Sequence, residues 1–187
     1  MRIIAGKAGR VAIRVPSSVT RPTTDFVRQA VFSILADRVN GARVLDLFAG
    51  SGALGLEALS RGAATCVFVE KHRAAASIIT ANLEKSRLTG GRVATSAVDA
   101  FLRRDAGQYD LTFADPPYWK YHGDADELAK ILADPSLTAR LAPEGWLIAE
   151  ASSAYRPPQP PGFELIDHRK YGSSAVLIFR PVAATIG

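Results

Sequence analysis

Apolar and polar positions change period several times along the chain, and each change marks the edge of an element. Two short β-branched runs, Arg2-Ile3-Ile4 and Val11-Ala12-Ile13-Arg14-Val15, are separated by glycines and predict a small hairpin that Pro16 ends. Thr23 or Thr24 can cap a helix running to about Val39, because Val27, Ala30, Val31, Ile34 and Leu35 recur at helical spacing. From Ala42 onward strands and helices alternate. Strands are predicted at Arg43–Phe48, Thr65–Glu70, Val93–Val98, Leu111–Ala114, Trp146–Glu150, Phe163–His168 and Ala175–Phe179, with helices at Ala53–Arg61, Ala74–Ser86 and Asp124–Leu132. Repeated β-α-β units require a mostly parallel sheet with helices on both faces, so the fold class is α/β with a seven-stranded sheet. The last two strands, joined through Gly172-Ser173-Ser174, are close enough to pair as an antiparallel hairpin at one edge.

A chain of 187 residues with 48% hydrophobic and 22% charged residues can bury a core and reads as one globular unit. Within it, residues 1–40 form a hairpin and helix extension and residues 41–187 the α/β domain. The proline-rich stretch from Arg156 to Gly162 is an extended loop, since too little chain follows to build a second core. No apolar run approaches the roughly 18 residues that cross a bilayer, and the first residues lack the apolar block of a secretory signal, so a cytoplasmic protein with no membrane partner is expected. Cys66 lies in an apolar run and is expected to be a buried, inert thiol. His72, His122 and His168 share no metal-ligand spacing, and no metal is expected.

The net charge of +5 favours an anionic partner, and its distribution is more informative than its size. Arg2, Lys7, Arg10, Arg14, Arg21 and Arg28 are opposed only by Asp25, which makes the N-terminal segment the candidate for phosphate contact. A merely solvated basic face would look the same.

The strand Val44-Leu45-Asp46-Leu47-Phe48 runs into Ala49-Gly50-Ser51-Gly52-Ala53-Leu54-Gly55 and a helix. Gly50, Gly52 and Gly55 satisfy the dinucleotide pattern, so an NAD enzyme has to be weighed. Asp46 counts against it. A carboxylate beside the loop would repel a pyrophosphate by roughly 4 kcal/mol at 4 Å and an effective dielectric near 20. A cation is favoured there, and S-adenosylmethionine carries a sulfonium and an ammonium, while amides at the helix start can receive its carboxylate. Glu70 lies 24 residues on, at the second strand tip, and can accept ribose hydroxyls for either cofactor. Asp99, read as the third strand tip, can accept from an adenine amino group while an adjacent amide donates to the ring.

The fourth strand ends in Asp115-Pro116-Pro117-Tyr118. Two prolines stiffen the turn and remove its amide donors, leaving carbonyls as acceptors. An exocyclic amino group is a poor nucleophile while its lone pair is conjugated with the ring. Asp115 and the Pro116 carbonyl, accepting one hydrogen each, can hold the nitrogen toward a tetrahedral shape, and Tyr118 offers a face on which the extruded base stacks. An ordinary proline turn is the plainer alternative.

These residues resemble the amino-group methyltransferases that act on adenine N6 in DNA and guanine N2 in ribosomal RNA. More closely, the chain resembles the RsmD-type family of 16S rRNA guanine-N2 methyltransferases, through residues 2–7, Arg21-Pro22-Thr23-Thr24-Asp25, residues 47–62 and Asp115-Pro116-Pro117-Tyr118. The resemblance implies a Rossmann-like class I S-adenosylmethionine-dependent fold acting as a monomer on the N2 of one guanine, guanine 966, in 16S rRNA of the 30S subunit or its precursor. It implies catalysis by Asp115, Pro116, Pro117 and Tyr118. It implies a cofactor site at Asp46, Phe48, Ala49, Gly50, Ser51, Gly52, Glu70, Lys71, Asp99 and Ala100. RNA contact falls to Lys7, Arg10, Arg14, Arg21, Pro22, Thr23 and Arg28. The family commonly has a second arginine near Gly9-Arg10, and arginine and asparagine where this chain has Phe26 and Ser33. Those departures touch RNA contact and leave the cofactor and amino-group sites intact.

Other readings stay open on sequence alone. A DNA adenine-N6 enzyme would use the same tetrapeptide, although only about forty residues precede the core and sequence-reading DNA enzymes generally need a recognition domain. A non-catalytic RNA-binding scaffold has no reason to hold acids at successive strand tips, and the NAD oxidoreductase meets the charge objection given above.

Overall fold

The computed structural model describes residues 1–16, 24–116, 126–157 and 159–182. The central strands are apolar on both faces. After the exposed Arg43 that opens β1 (Arg43–Leu47), only Asp46 there and Asp110 and Thr112 in β4 (Tyr109–Ala114) interrupt the apolar run, as expected for parallel strands covered by helices on both sides.

The remaining strands are β2 (Thr65–Glu70), β3 (Gly91–Thr95), β5 (Leu141–Ser152), β6 (Phe163–Tyr171) and β7 (Ser174–Pro181), in the order β3-β2-β1-β4-β5-β7-β6. All pairs are parallel except β5 with β7 and β6 with β7. The seven-stranded α/β sheet and its antiparallel C-terminal hairpin are thus as the sequence predicts. The strand order reverses between β1 and β4, the place where open α/β sheets bind ligands.

One face is covered by α1 (Asp25–Leu35), α2 (Ala53–Ser60) and α3 (Arg73–Ser86), and the other by α4 (Val98–Arg104), α5 (Glu127–Ala133) and α6 (Pro135–Arg140). The N-terminal extension shares the first core. Ile3, Ile13, Val31, Phe32 and Leu35 are buried with Leu56, Phe68 and Phe113 in a single cluster.

Several elements differ from the sequence reading. The hairpin of residues 2–15 has only one β-bridge, Arg2 with Ala12, and the segment is held mainly by the domain beneath it. The Glu57 carboxylate accepts the amides of Ile4 and Ala5, and Asn82 accepts the amide of Arg14 and donates to its carbonyl. Thr24 caps α1 by accepting from the Val27 amide. The helix stops at Leu35, and residues Ala36–Val39 form one 3-10 turn. The third strand is Gly91–Thr95, so Val98 does not end a strand but opens α4. Helices α4 and α6 are additions, and both are short, at 7 and 6 residues. The start of the helix predicted from Asp124 lies outside the described residues. Cys66 is buried, as expected. Among the described residues, no helix is long and apolar enough to cross a membrane.

Candidate active site

Strand β1 points Val44 and Asp46 to the α2 side and Leu45 and Leu47 to the other. Asp46 is 2% exposed, and one of its oxygens accepts the Gly55 amide, in the first turn of α2, at 2.9 Å. Burial, with Asp115 and Glu70 nearby, pushes its carboxyl up to about 8, and the Gly55 amide only partly opposes this. The acid expected to receive the cofactor's cation therefore also pins the start of α2.

Beyond β1 the chain turns sharply. Phe48 adopts a φ of 58°, uncommon for a residue with a side chain, followed by Gly50 at 56° and Gly52 at 77°. This path lets the Ala49 amide reach the Val69 carbonyl on β2 and brings the Gly50 amide to 3.0 Å from Glu70. The other Glu70 oxygen accepts from the His72 amide at 2.8 Å. Each carboxylate oxygen keeps a second lone pair, so Glu70 can still accept from a ribose. Gly55 serves packing. A Cβ there would stand 2.3 Å from the Phe68 ring and 2.6 Å from Cys66 Sγ.

Asp46, Phe48, Ala49, Gly50, Ser51, Gly52 and Glu70 therefore form one continuous cluster, with Lys71 exposed beside it. Asp99 departs from its expected place. Since β3 ends at Thr95, Asp99 sits in the first turn of α4, exposed and paired with Arg103 at 2.9 Å, with Ala100 behind it. The Arg103 hydrogen bond, aided by the Ala100 amide, holds its carboxyl below the usual range.

Asp115 and Pro116 follow directly on β4. Leu47 of β1 lies opposite Ala114, so the strand tip bearing the glycine loop and the tip bearing Asp115 are immediate neighbours. Asp115 is half-buried and Pro116 buried. Pro117 and Tyr118 lie outside the described residues.

The basic residues divide. Lys7, Arg10 and Arg14 are exposed, and Arg21, Pro22 and Thr23 lie outside the described residues. Lys7 bonds through its amide to the Ser60 carbonyl, at the end of α2 about 12 Å from the glycine loop by helix rise. Arg14 stands closer, since Asn82, which binds its backbone, also donates to the Ser51 carbonyl. Arg28 corrects the expectation outright. Its side chain is 0% exposed, bonded to the Arg2 carbonyl and paired with Asp25 at 2.8 Å, so it holds the fold and offers no charge to a phosphate. Burial lowers its pKa, against the pull of Asp25 and Glu57. Sequence reasoning passed over Glu57, Ser60 and Asn82, three buried polar residues that fasten the extension to the domain. Their only signal is a polar residue on the buried face of a helix.

Residues 1–180 match the protein family described as Conserved hypothetical protein 95. The chain is 39% identical over 152 residues to Ribosomal RNA small subunit methyltransferase D of Escherichia coli strain K12, covering 81% of this chain and 71% of that protein. It belongs to the ribosomal RNA small subunit methyltransferase D family. Among family-level folds, the hypothetical protein TTHA0928 of Thermus thermophilus superposes with a TM-score of 0.80 at 33% identity, covering 95% of this chain and 98% of that one. A more distant structure, the T. thermophilus 16S rRNA N2 G1207 methyltransferase solved with AdoMet and guanosine, shares the fold. Its TM-score is 0.73 at 24% identity, over 90% of this chain and 45% of that one.

Proposed function

We propose that this member of the family transfers a methyl group from S-adenosylmethionine to the exocyclic N2 amino group of guanine 966 in 16S rRNA. Its substrate is the small subunit or its precursor, in the cytoplasm. The observation that carries the reading is the pairing of β1 with β4, which makes the glycine loop and the Asp115-Pro116 tip neighbours at the sheet's switch point.

The residues present fit the cofactor. Asp46, Glu70 and Asp115 bring three carboxyl groups to the loop, and Asp46, raised to about 8, gains by ionising beside a cation and has no such gain from a pyrophosphate, while Glu70 can accept from a ribose. Asp46 and Glu70 would hold it with Phe48, Ala49, Gly50, Ser51 and Gly52, while Lys71, Asp99 and Ala100 border the adenine side. When bound, it supplies an electrophilic methyl carbon on a positively charged sulfur. The related guanine-N2 enzyme that holds AdoMet and guanosine together has the same fold, which supports the pairing of ligands in this reading.

At the acceptor side, Asp115 and the Pro116 carbonyl each take one hydrogen of the amino group, directing its lone pair away from the ring. Pro117 keeps the turn stiff and Tyr118 stacks on the base. Orientation of this kind can supply much of the rate, and the proton leaves afterwards to Asp115 or water. Arg14 is assigned to the RNA near the site, with Lys7 and Arg10 as more distant phosphate contacts and Arg21-Pro22-Thr23 as further RNA contacts.

The test is methylation of naked 16S rRNA and of small subunits from cells lacking this enzyme, using labelled cofactor, with duplex DNA as a third substrate. Label mapped to one guanine N2 is the expected result. Label on DNA adenine, or preferential binding of NAD over S-adenosylmethionine in a parallel titration, overturns the reading.

A further inference from the structure

The catalytic end of the sheet continues sideways past the cofactor strands to a surface that the reaction does not use. Ala114 lies opposite Ala149, so Asp115 is level with Glu150, which pairs with Val176, which in turn pairs with Arg169. Arg169 therefore stands in the row of the candidate catalytic acid, three strand spacings or about 14 Å away. Tyr171 ends the same strand, on the same face.

Opposite them runs the outer side of α1. Phe26 is 67% exposed, the most exposed large apolar side chain among the described residues, and meets Tyr171 edge to face with ring centroids 5.9 Å apart. Between the two elements lies an open groove of about 470 Å³, lined by Ala30, Ser33, Ile34, Arg169 and Tyr171. Ala30 and Ile34 give it an apolar wall and Ser33 a hydroxyl, while the Arg169 guanidinium and the Tyr171 ring, which Phe26 meets, border it. Arg169 is paired with Asp167 at 2.8 Å, but the pair is solvent-exposed, and such pairs contribute little and exchange partners readily.

We propose that this groove seats an unpaired nucleotide of the substrate RNA, near the one that is methylated, its base against Phe26 and Tyr171 and its phosphate on Arg169. The proposal rests on the rRNA reading above. An exposed aromatic pair beside a cation is how single-stranded nucleic acid is held without sequence readout. The ledge lies on the row of Asp115, within reach of a strand whose neighbouring base has entered the catalytic tip.

The experiment measures binding of a naked 16S rRNA fragment by fluorescence anisotropy, with S-adenosylmethionine affinity and thermal melting as controls. Phe26→Ala is expected to weaken RNA binding about 5- to 150-fold, with cofactor affinity and melting unchanged, and Phe26→Trp to retain it. Arg169→Ala should lower the slope of log affinity against log salt by about one. Photo-crosslinking from position 26 on assembled subunits should reach RNA. Wild-type affinity in Phe26→Ala, or crosslinks to ribosomal protein alone, overturns the groove assignment while wild-type methylation stands. A wild-type chain that methylates neither RNA nor subunits instead sinks the rRNA reading, and the two failures are told apart by that control.

Discussion

Replacing Asp46 by asparagine preserves the shape of the side chain and an acceptor for the Gly55 amide while removing the charge. In the wild-type chain, burial and the neighbouring Asp115 and Glu70 carboxyls raise Asp46 to about 8. At pH 6 only about one molecule in a hundred then carries the charge, and at pH 8 about half do. If the cationic cofactor requires the ionised form, binding must expel a proton, and affinity should rise about 50-fold from pH 6 to pH 8, or about 2.3 kcal/mol. Stability of the free protein runs the other way. A carboxyl raised above its unfolded value contributes stability that is complete below about 3.8 and is lost as pH rises through about 8, at about 1.4 kcal/mol per pH unit in that window. Asp46→Asn should therefore bind the cofactor more weakly at pH 8 while matching or exceeding wild-type thermal stability without it. Calorimetric titration at several pH values, in buffers of different ionisation enthalpy, reads both affinity and protons released. Titration of the cofactor's own groups cancels in the comparison between the two chains. Equal pH dependence in wild type and Asp46→Asn, or no proton release attributable to this residue, would refute the reasoning.

Asp115→Ala should abolish methyl transfer and leave S-adenosylmethionine binding nearly intact; equal loss of both in titration and turnover assays would mean that its role is misassigned. Gly55→Ala drives a methyl group into Phe68 and Cys66 and should cost about 1–3 kcal/mol or more in urea unfolding, and an unchanged midpoint would contradict the packing described. Arg28→Gln should lower the melting temperature by disrupting its contacts with Arg2 and Asp25, without flattening the salt dependence of RNA binding. Arg14→Gln should do the reverse, and a shared phenotype would show that burial does not separate the two.

Much of this architecture was already written in local pattern. Strand β2 was readable to the residue, because a run of β-branched and aromatic residues ending in Glu70 and bounded by turn signals has one assignment in an α/β context. The glycine loop and the tips ending in Glu70 and Asp115 were legible for the same reason, since each lies where an apolar run stops, while Asp46 stood out as the one acid inside such a run. Helix α4 was not read, although Val98, Phe101 and Leu102 have helical spacing, because at 7 residues it is too short to outweigh the β-branched residues before it. That one misreading moved Asp99 from a strand tip to an exposed helical turn.

Periodicity reports which positions face inward, and charge reports what water would prefer, but neither says which distant segment will cover a side chain. Hence the order of elements, the glycine loop and the Asp115-Pro116-Pro117-Tyr118 motif follow from residues adjacent along the chain. The burial of Arg28, the clamping of the N-terminal segment by Glu57 and Asn82, and the approach of Phe26 to Tyr171 depend on partners dozens of positions away or more, or on neighbours that only packing encloses. Those long-range contacts were decided when the helices closed over the sheet, because a polar or aromatic side chain gains a partner only once the chain has brought one within bonding distance.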